Sequence, residues 1–411
     1  MKKFTTTLLL IFLFSLSVNG QNNYDELWLE VEKFEVDGLP KSALEIVDEI
    51  YEKADKATNS PQIIKSLFYK SKFALTLEED AQLKVINSFK AHIAKSNFPT
   101  KNVLENVLAN LYWHYFNENR YQFYNRTKTE NKVDSEDFRT WDLDTLFKEI
   151  HCYFEASLQN ANQLQKIEIT DFSDILQINI KSKIFRPTLF DFLANNSLQF
   201  YKTTETSITS PAYKFIIDDA SFLGDVKTFS ELKIISKDSL SLQLNALKIY
   251  QKIITFHLKE NNKNALAEID IQRLNFVNQL ATFNDSENIL LSSLLTSKEQ
   301  FKNHEASALY AFEIANSYRN KANSSSAENP KDRFKNKEAI AFYHNGKPQY
   351  YKVSKELYNE LVGFRDNLAR FRESWVPAIV NGPNTVFKIA HTSSLEFAYK
   401  NLFLDSVTAT L

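Results

Sequence analysis

Histidine, cysteine and clustered carboxylates are the residues of this chain that could catalyse a reaction or bind a metal. The seven histidines are His92, His114, His151, His257, His304, His344 and His391. No two of them share a helical turn, and neither His-Glu-x-x-His nor Cys-x-x-Cys occurs. Because a metal site needs several ligands at fixed spacing, the sequence predicts no metal site, and no motif indicates a bound cofactor.

A thiol nucleophile is the next candidate, since Cys152 is the only cysteine and follows His151 in the segment EIHCYFEA. Neighbouring residues on a helix point about 100° apart, so the His151 imidazole would not face the Cys152 thiol. We therefore interpret Cys152 as a buried, inert thiol in an apolar helical setting.

Other signatures of catalysis are weak. No Gly-x-Ser-x-Gly nucleophile elbow occurs in the sequence. Carboxylate groups such as residues 78–80 and the pair Asp218 and Asp219 are typical of helix N-terminal charges or solvated helix faces. These residue types together predict that the protein is not an enzyme.

Two local patches are less generic, and each precedes an apolar helical segment. The first is Arg139-Thr-Trp-Asp-Leu143 and the second is Arg186-Pro-Thr-Leu-Phe-Asp-Phe-Leu-Ala194. Thr140 is a candidate N-cap, and Arg before a first turn with Asp on it favours capping and ion-pair contacts that lock a helix start. The functional alternative is a peptide or partner groove. The candidate residues are Arg139, Trp141, Asp142, Arg186 and Asp191.

The elements that hold these patches are predicted to be helices, because the chain has only 6 glycines in 411 residues. No glycine occurs between Gly38 and Gly224. Dinucleotide-binding loops, P-loops and β-rich folds need glycine in their turns, so these classes are excluded. A net charge of −2, from 49 basic and 51 acidic residues, provides no electrostatic footprint for nucleic acid.

Apolar spacing places the helices along the chain. Helix starts near residues 42, 61, 81 and 100 recur every 19 to 20 residues, which predicts stacked helical hairpins, a repeat-like α-solenoid or a bundle. Gly38 is expected to end the first helix, and Ser60 to cap the third ahead of Pro61. Further helices are predicted near 142–158, 187–198, 239–260, 263–282, 286–302, 304–322 and 353–373, with a surface loop at 117–140, a connection at 203–227 and a linker at 323–337.

The termini differ from this helical pattern. Lys2 and Lys3 precede the apolar stretch 8–18, and small residues end at Gly20, which predicts a cleaved signal peptide over 1–20. Export to the periplasm, cell envelope or exterior follows, with no transmembrane span after cleavage. Period-two apolar patterning predicts strands over 376–411. The predicted domains are a repeat-like helical domain at 21–202, a second helical region at 203–375 and an incomplete β domain at 376–411.

Five stretches in the same order resemble the N-terminal helical region of large bacterial alpha-2-macroglobulin-like proteins. They are YDELW at 24–28, LPKSALE at 39–45, YNRT at 124–127, RTWDL at 139–143 and RPTLFDFLA at 186–194. The resemblance covers about residues 24 to 375, and the final strands resemble the opening of a macroglobulin β-sandwich. It implies an exported protein related to broad protease inhibitors, with proteases or downstream macroglobulin domains as partners.

The chain departs from that family at the features that trap a protease. The thioester sequence Cys-Gly-Glu-Gln is absent, and neither a bait region nor a complete macroglobulin domain is present. No catalytic residues carry over. We therefore expect a non-catalytic scaffold or docking region. The alternative is a stand-alone helical-repeat module that binds peptides or glycans at the cell envelope.

Overall fold

The structure is a computed structural model that describes residues 24–328 apart from 80, 129–131, 133, 179, 206–207 and 210, together with the backbone of 339–344 and 347–352. Over these residues the chain is mainly helical, which confirms the predicted class. Among the described helices, none combines the length and the apolar character needed to cross a membrane.

The described residues form two compact units. The first contains residues 24–178 and Pro187–Thr209, and the second contains Ile180–Arg186 and the residues from 211 onward. The helices of the first unit are α1 (24–36), α2 (Pro40–Lys56), α3 (Ser60–Leu77), α4 (Ala81–Lys95), α5 (Thr100–Tyr124), α6 (Leu143–Ser157), α7 (Ala161–Leu164) and α9 (Leu189–Tyr201). Those of the second are α8 (Ile180–Phe185), α10 (Val226–Glu231), α11 (Leu242–Glu260), α12 (Lys263–Leu280), α13 (Ser286–Gln300) and α14 (Ser307–Glu328).

Packing within each unit is mainly between helices that follow one another in the chain. In the first unit α2 packs on α3, α3 on α4, α4 on α5 and α5 on α6, with α9 added against α5. In the second unit α10 packs on α11, α11 on α12, α12 on α13 and α13 on α14, and α8 packs on α12. Antiparallel neighbours joined by short connections bury their apolar stripes against each other in this way.

A two-stranded antiparallel hairpin, which the sequence analysis did not predict, follows the last helix. Strand β1 (Ala339–His344) pairs with β2 (Lys347–Lys352), with Ala339 opposite Lys352 and His344 opposite Lys347. The predicted signal peptide at 1–20, the helix at 353–373 and the β segment at 376–411 lie outside the described residues.

Three predicted connections contain helix. The loop expected at 117–140 begins eight residues too early, because α5 continues to Tyr124. Phe123 is buried there against Tyr115 and Phe116, and this packing supports the extra turns beyond a local break at Asn119. The connection expected at 203–227 contains the start of α10, and the linker expected from Asn323 is helical up to Glu328.

The start of α3 lies one residue earlier than the sequence predicted. Asn59, not Ser60, is the N-cap, since its side-chain oxygen accepts a hydrogen bond from the Gln62 N–H at 3.2 Å. The Ser60 hydroxyl instead accepts a hydrogen bond from Thr100 Oγ1 at 2.7 Å. A tertiary contact with α5 has therefore taken the group that local sequence assigned to the cap.

The helices α1 and α2 both end in a left-handed turn. Gly38 has φ +70°, and the Leu39 N–H donates to the Phe34 carbonyl at 2.8 Å. At the end of α2, Thr58 occupies the equivalent position with φ +50°, and the Asn59 N–H donates to the Ala54 carbonyl at 2.9 Å. Glycine is the residue that adopts this conformation without strain, whereas a β-branched residue is unfavourable there.

The two turns lead us to expect opposite changes in stability when glycine is introduced at Thr58 and when it is removed at Gly38. Thr58→Gly should raise the free energy of unfolding by about 1 kcal/mol, because it removes left-handed strain from a turn whose backbone hydrogen bonds stay in place, and the bond it removes, from the Thr58 hydroxyl to the Ala57 carbonyl, is exposed to solvent. Gly38→Ala should lower it by about 1 kcal/mol, although a Cβ there meets no atom within 4 Å. Urea titration of the full chain measures both variants. Equal shifts of the same sign would contradict this account of the turns.

Candidate functional site

Trp141 is the centre of the first predicted patch and is fully buried. Its indole Nε1 donates to the Asp134 carbonyl at 2.6 Å, and its own carbonyl accepts from Arg126 Nη1 at 2.6 Å. The ammonium groups of Lys132 and Lys90 lie 4.0 and 5.4 Å from the ring centroid. Two cations over one ring stabilise it electrostatically and keep its faces from solvent. Trp141 therefore fixes the segment that leads into α6.

Asp142 begins α6. Its side chain accepts a hydrogen bond from the Thr145 N–H at 2.8 Å, which satisfies one of the free donors of the first helical turn. The prediction that Thr140 is the cap is wrong, since its hydroxyl donates to the Asp137 carbonyl in the turn before the helix. The buried Trp141 follows Thr140 and sets where the helix begins.

Arg139 pairs with a neighbouring carboxylate in the same turn. Its Nε and Nη2 donate to the two oxygens of Asp137, each at 2.8 Å. These hydrogen bonds from the guanidinium hold the pKa of Asp137 below its ordinary value. The Arg139 side chain is 30% exposed, so part of this side chain reaches solvent.

In the second patch, Thr188 and Asp191 form a capping box at the start of α9. The Asp191 carboxylate accepts from the Thr188 N–H at 3.1 Å, and the Thr188 hydroxyl accepts from the Asp191 N–H at 3.3 Å. Arg186 belongs to the other compact unit, where its Nη2 donates to Glu268 Oε1 at 3.1 Å. Residues of one sequence motif thus belong to the two different compact units.

The structure groups some of these patch residues and separates others. Arg139, Trp141 and Asp142 lie together at the start of α6. The helices α6 and α9 run antiparallel, because His151 meets Tyr201 while Asn106 bonds both Ser157 and Leu193. The starts of α6 and α9 are therefore at opposite ends of the pair.

Burial limits which of the five residues a partner can touch. Trp141, Asp142, Arg186 and Asp191 are all buried, with 9% exposure at most. Arg139 alone among the five has a side chain with substantial exposure to solvent. The buried four hold helix starts and connections in place, and Arg139 is the member through which the patch can meet another molecule.

A buried polar network in the first unit was missed by the sequence analysis. Asn106 Nδ2 donates to Ser157 Oγ and to the Leu193 carbonyl, each at 3.1 Å, and Asn106 Oδ1 accepts from Asn196 at 3.2 Å. Asn110 Nδ2 donates to the Asn106 carbonyl at 2.9 Å. These contacts join α5, α6 and α9. The signal was the spacing of four residues between Asn102, Asn106 and Asn110 along one face of a helix.

A second network lies at the centre of the other unit. Asp270 and Arg273 have no solvent exposure. Arg273 Nη1 and Nη2 donate to the carbonyls of Phe222 and Gly224 at 2.6 and 2.8 Å, and its Nε donates to Asp270 Oδ1 at 3.1 Å. The Tyr310 hydroxyl donates to Asp270 Oδ2 at 2.9 Å, and burial raises its pKa well above the ordinary value. The Arg273–Asp270 pair thus links α12 to the connection before α10 through the guanidinium and to α14 through the carboxylate.

The surroundings of Cys152 correct one prediction. Cys152 is exposed, not buried. It lies two residues beyond the buried Ile150, about 200° around the helix, which places it on the solvent side of α6. His151 Nδ1 lies 2.8 Å from the Tyr201 hydroxyl. Partial burial, with Glu149 and Glu155 nearby, raises the pKa of the thiol, so it does not have the thiolate character of a nucleophile.

A small cavity between α4 and α5 contains the most perturbed histidine. His114 borders it together with Gln82 and Glu118, against the apolar wall of Ile86 and Phe138. The cavity has room for about one water molecule. Close packing removes water from the imidazole and lowers the pKa of His114 to about 4. Partial desolvation raises the pKa of Glu118.

The Arg273 network predicts a non-additive loss of stability. Arg273→Met leaves the Asp270 carboxylate buried without its cation, and we expect a cost of about 3 to 5 kcal/mol. The double variant Asp270→Asn with Arg273→Met should cost less than Arg273→Met alone, because no buried charge is left behind. Urea unfolding with hydrogen exchange of α12 and α14 amides measures both. A double variant that shows the sum of the two single losses would contradict the coupling.

His114 predicts a loss of stability in acid. The pKa of His114 is lower in the folded chain than the value of about 6.5 expected when unfolded, so protons bind the unfolded chain preferentially between these two values. The contribution of His114 to the free energy of unfolding is therefore complete above pH ~6.5 and declines as pH falls towards 4. His114→Gln should weaken the pH dependence of the melting temperature between pH ~6.5 and 4. Glu118→Gln should strengthen this pH dependence, since a carboxyl with a raised pKa stabilises the folded chain as pH falls, opposite to His114. Identical pH profiles for both variants would contradict the assignment.

The two patches offer helix starts and one partly exposed arginine side chain, that of Arg139, and each unit contains a buried polar network. Comparisons with family models, with curated proteins and with solved structures find no match to this chain.

Proposed function

We propose that this chain is a non-catalytic helical scaffold and docking region of an exported alpha-2-macroglobulin-like protein. The observation that carries the proposal is the serial packing of consecutive helices, from α2 to α6 in the first unit and from α10 to α14 in the second. Helical hairpins stacked in this way form repeat-like scaffolds, in which each hairpin contacts its neighbours and keeps outward faces for partners. We assign this repeat-like arrangement to each compact unit separately.

The use of the polar side chains supports the same proposal. Asp142 and Asp191 cap helices, and Arg273 together with Asp270 joins three segments of the second unit. Asn106 does the same in the first unit. Groups that are held in such contacts give a rigid frame, and a rigid frame suits a docking region because it loses little conformational freedom on binding.

The partner class comes from the sequence resemblance. Proteases or macroglobulin domains of the same protein are the proposed partners, and the periplasm, cell envelope or exterior is the proposed location. Because the thioester sequence Cys-Gly-Glu-Gln is absent from the chain, we propose that it binds such partners without trapping them covalently.

A second candidate function is a stand-alone helical-repeat module for peptides or glycans. Tyr121 and Tyr124, three residues apart at the end of α5, favour it because they are 83% and 41% exposed. Exposed aromatic rings provide the flat apolar surface on which peptides and sugars stack. In this case Tyr121→Ala would abolish binding of the ligand.

Binding and inhibition assays of the mature chain with a panel of secreted proteases test the main proposal. We expect binding without loss of protease activity towards either a protein substrate or a small peptide substrate. Arg139→Ala should weaken binding about tenfold, as loss of an interface arginine commonly does. Arg319→Ala, on the exposed face of α14 in the other unit, is the matched control.

Three outcomes would count against the proposal. Inhibition of the protease active site would indicate an inhibitor in its own right. Hydrolysis by the chain itself, abolished by one carboxylate substitution, would indicate an enzyme. Binding of peptides or glycans that depends on Tyr121, with no protease bound, would favour the second candidate.

A further inference from the structure

The first helix of the first unit has an outward face that carries large apolar side chains. Tyr24, Trp28 and Val31 are buried on the inward face of α1. On the opposite side Leu29 and Val36 are 64% and 87% exposed. They are seven residues apart, which is the spacing at which a helix repeats its contacts with a partner helix.

Carboxylates surround these two apolar residues. Glu26 and Glu30 are exposed beside Leu29, and neither has an ion-pair partner among the described residues. Lys33 is the one basic residue of α1. The outward face therefore combines two aliphatic side chains with a local excess of negative charge.

The excess extends over the hairpin formed by α1 and α2. Residues 24–56 contain eleven Asp and Glu against four Lys, a net charge of −7 in a chain whose total is −2. Lysines of α3 neutralise only the side that packs on them, through the pairs Lys72–Glu35 and Lys70–Asp48. Glu45 and Glu49 of α2 remain exposed. The hairpin thus presents a negative potential that attracts a basic partner.

We propose that the outward face of α1 binds a basic amphipathic helix of a partner protein. The apolar stripe of that helix would cover Leu29 and Val36, and its Lys or Arg side chains would pair with Glu26 and Glu30. A membrane surface suits this face poorly, because anionic lipids repel carboxylates. The inference rests on the proposed docking function and specifies one surface and the chemistry of its partner.

A synthetic peptide tests the inference with the full mature chain. The probe is a helix of about 18 residues that places Leu on one face and Lys on the other. One control peptide replaces every Lys with Glu, and another has the same composition in a scrambled order. We expect saturable binding of the Leu/Lys helix alone, measured by fluorescence anisotropy, and weaker binding as salt rises from about 50 to about 300 mM.

Matched variants locate the binding surface. Leu29→Ser with Val36→Ser should weaken the peptide at least tenfold, and so should Glu26→Lys with Glu30→Lys. Ile235→Ser with Phe312→Ser removes two aliphatic or aromatic side chains that are 83% and 65% exposed in the second unit, and should leave affinity unchanged. All these positions are exposed, so circular dichroism and unfolding midpoints should match those of the parent chain.

The remaining outcomes each overturn the inference. If the Leu29 and Val36 variant binds the peptide as tightly as the parent chain, the outward face of α1 is not the binding surface. If the Glu peptide binds as tightly as the Lys peptide, negative charge on this face does not select the partner. A dimer that the same variant converts to monomer in light scattering would assign the face to a second copy of the chain. If proteases bind while the Leu/Lys peptide does not, this inference fails and the proposed function stands. If neither binds, both fail.

Discussion

Ending a helix with almost no glycine is the constraint on which this structure depends. Of the residues with positive φ in the described chain, Gly38 is a glycine and the other four are Thr58, Asn160, Asn261 and Asp285. Asparagine and aspartate tolerate the left-handed conformation because their short polar side chains bond locally to the backbone. Asn261 ends α11 and Thr58 follows the last turn of α2, whereas Asn160 and Asp285 directly precede α7 and α13. The left-handed residues at these helix boundaries are therefore mostly polar, and the direction of the adjoining helices relies on a few specific residues.

Helix starts follow the same principle. Asn59, Asp142, Asp225, Ser241 and Asn262 each accept a backbone N–H of the first turn, and Thr188 shares a reciprocal pair of bonds with Asp191. Each such cap contributes about 1 kcal/mol. Because neighbouring helices pack in series, an error at one start would misplace every helix after it. Local hydrogen bonds therefore protect a long-range arrangement.

Inside each unit a polar hub sets which helices meet. Asn106 selects α6 and α9 as neighbours of α5. In the second unit Arg273 bonds the connection before α10, and its partner Asp270 bonds Tyr310 of α14. Apolar surfaces alone accept many alternative packings of similar energy, whereas a buried amide or guanidinium is costly unless its specific partners are in place. Such hubs give a scaffold one defined shape. A defined shape keeps outward faces, such as that of α1, in a constant orientation within their unit.

The sequence by itself determined the helical class and the position of most helices, because apolar residues at helical spacing are a local signal. It also identified the segments at which α6 and α9 begin. The tertiary structure decided which residue caps each start: Ser60 bonds to Thr100 and leaves the cap to Asn59, while burial of Trp141 moves the α6 cap from Thr140 to Asp142. It also assigned Arg186 and Asp191 to separate units and placed Cys152 in solvent. These outcomes depend on side chains that are distant in the chain and compete for the same polar groups, and no local pattern records that competition.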